Sequence, residues 1–145
     1  MYKHILIPTD GSALATTAVK QGLDFAKAIG ASVTLLTVHE PFHVFTLETE
    51  MLTDSPEIYK NHAKKQAKAI LGKVETLAKE RGVTFQTLDI EADYPYEAII
   101  DTAKKKKCDL IAMASHGRGG IGAILLGSET QKVLAHSSVP VLVYR

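Results

Sequence analysis

Short apolar runs alternate along this chain with longer segments of helical period. Ile5-Leu6-Ile7, Val33 to Val38, Val83 to Ile90, Leu110 to Ala114 and Val139 to Tyr144 have strand length, so five strands are predicted. Between the first two, Ala15, Ala18, Val19, Gly22, Leu23, Ala26 and Ile29 recur at spacings of three and four, with Ser12 as a natural N-cap and Gly30 as a stop. A second helix opens at Ser55-Pro56-Glu57, turns Ala63, Ala67, Ile70, Leu71, Val74 and Leu77 inward, and ends at Gly82. Pro95 opens a third helix that finishes in Lys104 to Lys107, and Ser128 with Gln131 forms a capping-box pattern for a fourth. The stretch from Glu40 to Asp54 is the one long irregular loop.

Strict alternation of strand and helix implies a parallel sheet, and right-handed crossovers distribute the four helices over both faces. Strands one, two and four are almost wholly apolar, as strands covered on both sides should be, whereas the third, Val83-Thr84-Phe85-Gln86-Thr87-Leu88-Asp89-Ile90, mixes in polar residues. The third strand therefore belongs on an edge. The order 3-2-1-4-5 satisfies this, while 2-1-3-4-5 would bury Gln86 and Thr87 centrally. The expected fold is a single-domain α/β protein spanning residues 1–145, with an open five-stranded parallel sheet. In this order the chain reverses between strands one and four, where open α/β sheets bind ligands beyond the carboxyl ends of their strands.

Two loops flank that reversal: Thr9-Asp10-Gly11-Ser12 and Ser115 to Ser128. The second holds five glycines in fourteen residues and one charge, Arg118. A glycine-rich loop leading into a helix presents backbone N–H groups to an anion, and phosphate is the obvious guest. No Gly-Lys-Ser/Thr ends this loop, so it is not a P-loop, and no GxGxxG follows the first strand, so it is not the dinucleotide fingerprint. Without a phosphate-pairing lysine, holding a nucleotide fits better than turning it over. Asp10 would accept from ribose or base donors, or take a divalent metal bridging to phosphate. The plain alternative is an ordinary post-strand turn plugged by Ile121, Ile124, Leu125 and Leu126.

Charge and composition narrow the field. Seventeen Lys and Arg against sixteen Asp and Glu leave a net charge of +1, so there is no global basic field for nucleic acid or an anionic membrane. No apolar stretch reaches spanning length, the N-terminal apolar run is too short for a signal peptide, and a single cysteine, Cys108, precludes an internal disulfide. A cytoplasmic protein is expected. Cys108 precedes a buried strand and reads as a small core residue, and Lys104 to Lys107 read as a solvated face. His39-Glu-Pro-Phe-His43 matches the HExxH zinc pattern in letters. That chemistry needs both histidines on one helical face, but His39 caps a strand and Pro41 steers Glu40 away from helix. No general base paired with a nucleophile is found, so an enzyme, at most a weak ATPase, is the least supported class.

Ile-Leu-Ile-Pro-Thr-Asp-Gly-Ser near the N-terminus, Val38-His39, Ser-His-Gly-Arg, Leu-Leu-Gly-Ser and the closing Val-Pro-Val-Leu-Val together resemble the universal stress protein family across the whole chain. Its ATP-binding branch carries Gly-x-x-Gly, nine residues, then Gly followed by Ser or Thr. Gly117, residues 118–126, Gly127 and Ser128 match, and Ala114 replaces the first glycine. The resemblance implies an adenine nucleotide (ATP, or ADP or AMP, with Mg or Mn) held at Pro8, Thr9, Asp10, Val38, Met113, Ala114, His116, Gly117, Arg118, Gly127, Ser128 and Glu129. Within that set Asp10 would lie beside the adenosine and main-chain groups around Val38 at the adenine edge. Gly117, Gly127, Ser128 and the N–H of Glu129 would cradle phosphate, and Arg118 could pair with an outer one. His116 could touch phosphate or make a structural hydrogen bond to the neighbouring turn, and Met113 could touch the base or fill core. The resemblance also implies a stress-response homodimer built through the last strand, Val139 to Tyr144, whose exposed apolar edge would otherwise invite aggregation. Ala114 leaves open a second reading, a member that binds no nucleotide and acts by dimerisation and partner binding.

Overall fold

A computed structural model describes residues 1–42, 55–117 and 126–145. The elements run β1 (His4–Pro8), α1 (Ala13–Ile29), β2 (Ser32–His39), α2 (Pro56–Arg81), β3 (Phe85–Glu91), α3 (Pro95–Lys105), β4 (Leu110–Ala114), α4 (Ser128–His136) and β5 (Val141–Tyr144). All strand pairs are parallel, and the sheet order is β3-β2-β1-β4-β5, as the distribution of polar residues requires.

Alternate residues of the central strands feed two cores. Ile5, Ile7, Val33, Leu35 and Ala112 point to the face covered by α1 and α2, where Val19, Leu23, Ala26, Val74 and Ala78 meet them. Leu6, Leu36, Ile111 and Met113 point to the opposite face and meet Ile99 and Ala103 of α3 and Val133 of α4. Burying one fully covered aliphatic side chain contributes about 1.5–3 kcal/mol, so these two layers dominate the stability of the fold. Gly22 lets α1 approach β1, since a Cβ there would sit 2.8 Å from Ile7 Cδ1.

The local signals resolve as physics demands. Ser12 Oγ accepts from Ala15 N and Ser55 Oγ from Ile58 N, while Gly30 and Gly82 close α1 and α2 in the left-handed conformation. Along α1 the expected inward residues are buried except Ile29, which is half-buried, and on α2 only Ala67, Val74 and Ala78 are fully buried. Ala63, Ile70, Leu71 and Leu77 are half-buried because α2 covers the outer side of the sheet.

β1 and β2 each extend one residue beyond the expected apolar run at both ends, β3 ends one residue later at Glu91, and other boundaries shift for local reasons. β3 begins at Phe85 rather than Val83, which is held by Ala78 O in the turn closing α2. β5 begins at Val141, one residue after Pro140, which lacks the N–H a ladder needs. α3 ends at Lys105, with Lys106 as C-cap. The capping box at Ser128 does not form: Gly127 is the N-cap of α4, no side chain caps it, and Gln131 Nε2 instead donates to Leu126 O at 2.7 Å.

Candidate functional site

Beyond the carboxyl ends of β1, β2 and β4 the fold opens a cleft of about 440 Å³. Pro8, Thr9 and Asp10 form one wall, Leu36, Val38 and Glu40 the next, and Met113, Ala114, His116 and Gly117 the third. The N-terminal turns of α3 (Pro95, Ile99) and α4 (Gly127, Ser128, Glu129, Thr130) close the side, and Ala15 of α1 completes the lining. Eleven of the residues expected from sequence line this one cleft, and Arg118, like Ile121, Ile124 and Leu125, lies outside the described residues.

Each wall has a local cause. Thr9 N donates to Leu36 O, so the strand ladder continues past Pro8 and fixes the start of the β1–α1 turn. Asp10 Oδ1 then accepts from Ser12 N at 2.9 Å and Thr9 Oγ1 from Gly11 N at 3.2 Å, while Gly11 supplies the positive φ of 80° that lets the chain turn into α1. Across the cleft, Gly127 N donates to Ser115 O at 2.7 Å, pinning the start of α4 to the end of β4. A Cβ on Gly127 would meet His116 Cα at 3.2 Å and Ser115 O at 3.3 Å, and one on Gly117 would meet Asp10 Oδ2 at 2.5 Å. Both glycines are thus set by close approach, not by positive φ.

Ala114 is the last residue of β4, paired with Tyr144 of β5, and its φ is not positive. Its methyl packs in a small-residue seam with Ala15 and Ala18 of α1. The backbone conformation at this position is one any L-residue adopts. Ser115 Oγ and His116 Nδ1 are 2.9 Å apart, the structural hydrogen bond that sequence left open for His116. His116 is only 8% exposed, and its Nε2 has no hydrogen-bond partner among the described residues. Met113 belongs to the core beneath the cleft as well as to its lining.

Thr130, buried on α4, donates from Oγ1 to Ala114 O at 2.9 Å. Glu129 turns its carboxylate sideways, and Oε2 accepts from Tyr96 N at 2.9 Å. Sequence reasoning missed Thr130, Glu40, Leu36, Ala15, Pro95 and Ile99. A threonine on an apolar helix face could have pointed to Thr130, but the α3 residues reach the cleft only because α3 packs against α4 on the sheet face that carries Leu36 and Met113.

Among the described residues no group of three or more His, Cys, Asp and Glu could hold a metal. Of the HExxH letters, His39 ends β2 with its Nδ1 2.7 Å from Asp89 Oδ1, and His43 lies outside the described residues. Lys104 to Lys107 are exposed and Cys108 is buried, as expected. Burial pushes the Cys108 thiol up to about 11. Among the described residues no helix is long and apolar enough to cross a membrane.

A model of the universal stress protein family matches residues 1–145. The chain is 36% identical over 145 residues to Universal stress protein MJ0531 of Methanocaldococcus jannaschii, covering 100% of this chain and 83% of that protein. Universal stress protein MJ0577 of the same organism is 35% identical, with 100% and 96% covered. The solved structure of MJ0577 superposes with a TM-score of 0.81, covering 99% of this chain and 95% of that one at 31% identity. A universal stress protein crystallised in complex with cAMP has a TM-score of 0.73 at 23% identity, with 99% and 97% covered. Sequence, strand order and solved relatives agree: this chain belongs to the universal stress protein family.

Proposed function

We propose that the cleft binds an adenine nucleotide, ATP or its ADP or AMP form, and that the protein is a stress-response regulator whose bound nucleotide biases a homodimer, with little or no turnover. The observation that carries this reading is the pinched glycine pair. A Cβ at Gly117 would displace the Asp10 carboxylate and one at Gly127 would crowd the backbone of Ser115 and His116, and the N–H groups of Ser128, Glu129 and Thr130 begin α4 at the cleft without partners inside the helix. A helix N-terminus approached by bare backbone suits a phosphate. His116 Nε2, without a partner among the described residues, adds a buried polar atom that a ligand contact would satisfy. The relative crystallised with cAMP supports an adenine ligand for this fold.

In this reading Asp10 accepts from ribose, main-chain groups beside Val38 meet the adenine edge, Pro8, Thr9 and Met113 shape the base pocket, and Arg118 pairs with an outer phosphate. A Mg or Mn ion accompanying ATP would neutralise phosphate charge, with Asp10 the protein's candidate ligand. Ala114 is compatible, because its strand backbone needs no glycine. The dimer would form through the open edge of β5, whose residues Val141 to Tyr144 are all half-buried in the single chain.

The test is to denature the protein as purified and identify released small molecules by mass spectrometry. Adenine nucleotide near one per chain, absent from Gly127→Asp, is the expected result. An empty protein showing no thermal shift with ATP and magnesium would overturn the reading and leave the dimerising, nucleotide-free alternative.

A further inference from the structure

Two helices begin at this cleft, yet their N-termini are capped differently. α3 starts at Pro95, and its N-cap, Tyr94, makes no side-chain capping bond. The cap comes instead from another helix: Glu129 Oε2 accepts from Tyr96 N at 2.9 Å, 33 residues away in sequence. The same carboxylate has Lys132 Nζ 3.6 Å from Oε1, and that ammonium lies 5.5 Å from the Tyr96 ring centroid. A carboxylate at a helix N-terminus offsets the positive end of the dipole. The positive end of α3 is therefore answered by a hydrogen-bonded carboxylate from another helix, whereas α4 begins at the cleft with no side-chain cap and with Glu129 in its own first turn.

We propose that Glu129 is a positioning and specificity-determining residue: it caps α3 from α4, holds the two helix starts at a fixed separation, and bars a ligand's anionic group from α3. This rests on the adenine-nucleotide reading above and refines it. Only the Glu129 backbone belongs to the phosphate cradle. Its side chain adds a negative charge to a cleft whose other walls carry Asp10 and Glu40, and it pairs with Lys132 one helical turn away. The site thus tolerates each further phosphate at an increasing electrostatic cost, and the charge on Glu129 discriminates among adenosine, AMP, ADP and ATP.

Removing the charge and removing the cap have different signatures, so two substitutions separate them. Glu129→Gln keeps an oxygen acceptor for Tyr96 N and removes the charge, whereas Glu129→Ala removes both. We would measure calorimetric affinities for adenosine, AMP, ADP and ATP in metal-free buffer, and the Tyr96 amide proton shift by NMR. Glu129→Gln should leave the Tyr96 amide near wild type while raising affinity relative to that for adenosine progressively with ligand charge, reaching about threefold for the ATP-to-adenosine ratio. Glu129→Ala should move the Tyr96 amide upfield and weaken adenosine itself, because Pro95 and Ile99 lose their tie to α4. A Glu129→Gln protein that changes adenosine and ATP by one common factor overturns the discrimination. A Tyr96 amide unmoved by Glu129→Ala overturns the cap. If wild type binds none of the four ligands, the adenine reading and the discrimination fall together, and the amide shift with its rescue by glutamine still decides the cap.

Discussion

Gly117→Ala should act almost entirely through Asp10, and the structure gives both the size and the sign. The added Cβ would lie 2.5 Å from Asp10 Oδ2 and 3.5 Å from Asp10 Cγ, and among the described residues beyond its chain neighbours nothing else comes within 4 Å. A comfortable carbon–oxygen contact is longer by roughly 0.7 Å, so the carboxylate must rotate. Rotation strains the Asx-type bond in which Asp10 Oδ1 accepts from Ser12 N at 2.9 Å. Overpacking costs about 1–3 kcal/mol in general, and the bond contributes about 0.5–1.5 kcal/mol of that here. Alanine also restricts the unfolded chain, which returns about 0.4–1 kcal/mol because Gly117 does not have positive φ. The net loss expected is about 1 kcal/mol. In an Asp10→Ala background the obstructing oxygen is gone, so the same substitution should become neutral or slightly stabilising. Urea unfolding of the four proteins at 25 °C measures this as a coupling of about 1–2 kcal/mol. Equal losses in both backgrounds would refute the contact as the cause.

Three further outcomes follow from other parts of the molecule. Ala114→Gly should leave ligand affinity within about twofold while lowering stability by about 0.5–1 kcal/mol, because it removes a methyl from the Ala15–Ala18 seam and loosens a strand end; a large gain in nucleotide affinity on restoring glycine would contradict it. Cys108 ionises near its ordinary 9.0 in the unfolded chain and at about 11 when buried, so its contribution is complete below about pH 9 and is lost as pH rises toward 11. Alkylation at pH 8 should accordingly be slow in the native protein and fast in urea, and equal rates would refute burial as the cause. Asp109 resists burial, which alone would raise its pKa, by accepting from the amides of His4 and Lys3, and the balance holds its carboxyl below the ordinary value. Its stabilisation is present above that ordinary value and is lost as pH falls through the depressed one, so Asp109→Ala should cost about 1–2 kcal/mol at pH 7 and less in acid, read from denaturation midpoints.

The parts of this fold written in local chemistry are legible in the sequence. α1 is bracketed by a serine cap and a left-handed glycine, and both act as their residue types dictate. The edge position of β3 followed from polar residues that a central strand could not bury, and Gln86 indeed turns its amide to Thr34 Oγ1 across the strand pair. What local reasoning missed depends on contacts between distant segments. Ser128 carries a capping signature, yet the N-cap is Gly127, whose N–H is held by Ser115 O and at which a Cβ would crowd the backbone of Ser115 and His116. The role of Glu129 is invisible in its own helix, since its partner is the start of α3. Ala114 was ambiguous as a letter and becomes plain once its pairing with Tyr144 fixes it as strand.

These distant contacts converge on a single turn of α4. Gly127 N is held by Ser115 O, Thr130 Oγ1 holds Ala114 O, and Glu129 holds Tyr96 N, so three successive anchors tie the helix start to β4 and α3. Helix ends ordinarily fray, and ordering one backbone residue costs about 1–2 kcal/mol. A ligand that had to order residues 128–130 for itself would lose several kcal/mol of affinity, whereas here folding has already met that cost. None of the three anchors uses the N–H groups of Ser128, Glu129 or Thr130. The arrangement therefore fixes the donors while leaving them outside the helix's own hydrogen bonds, which is what the proposed anion site would require.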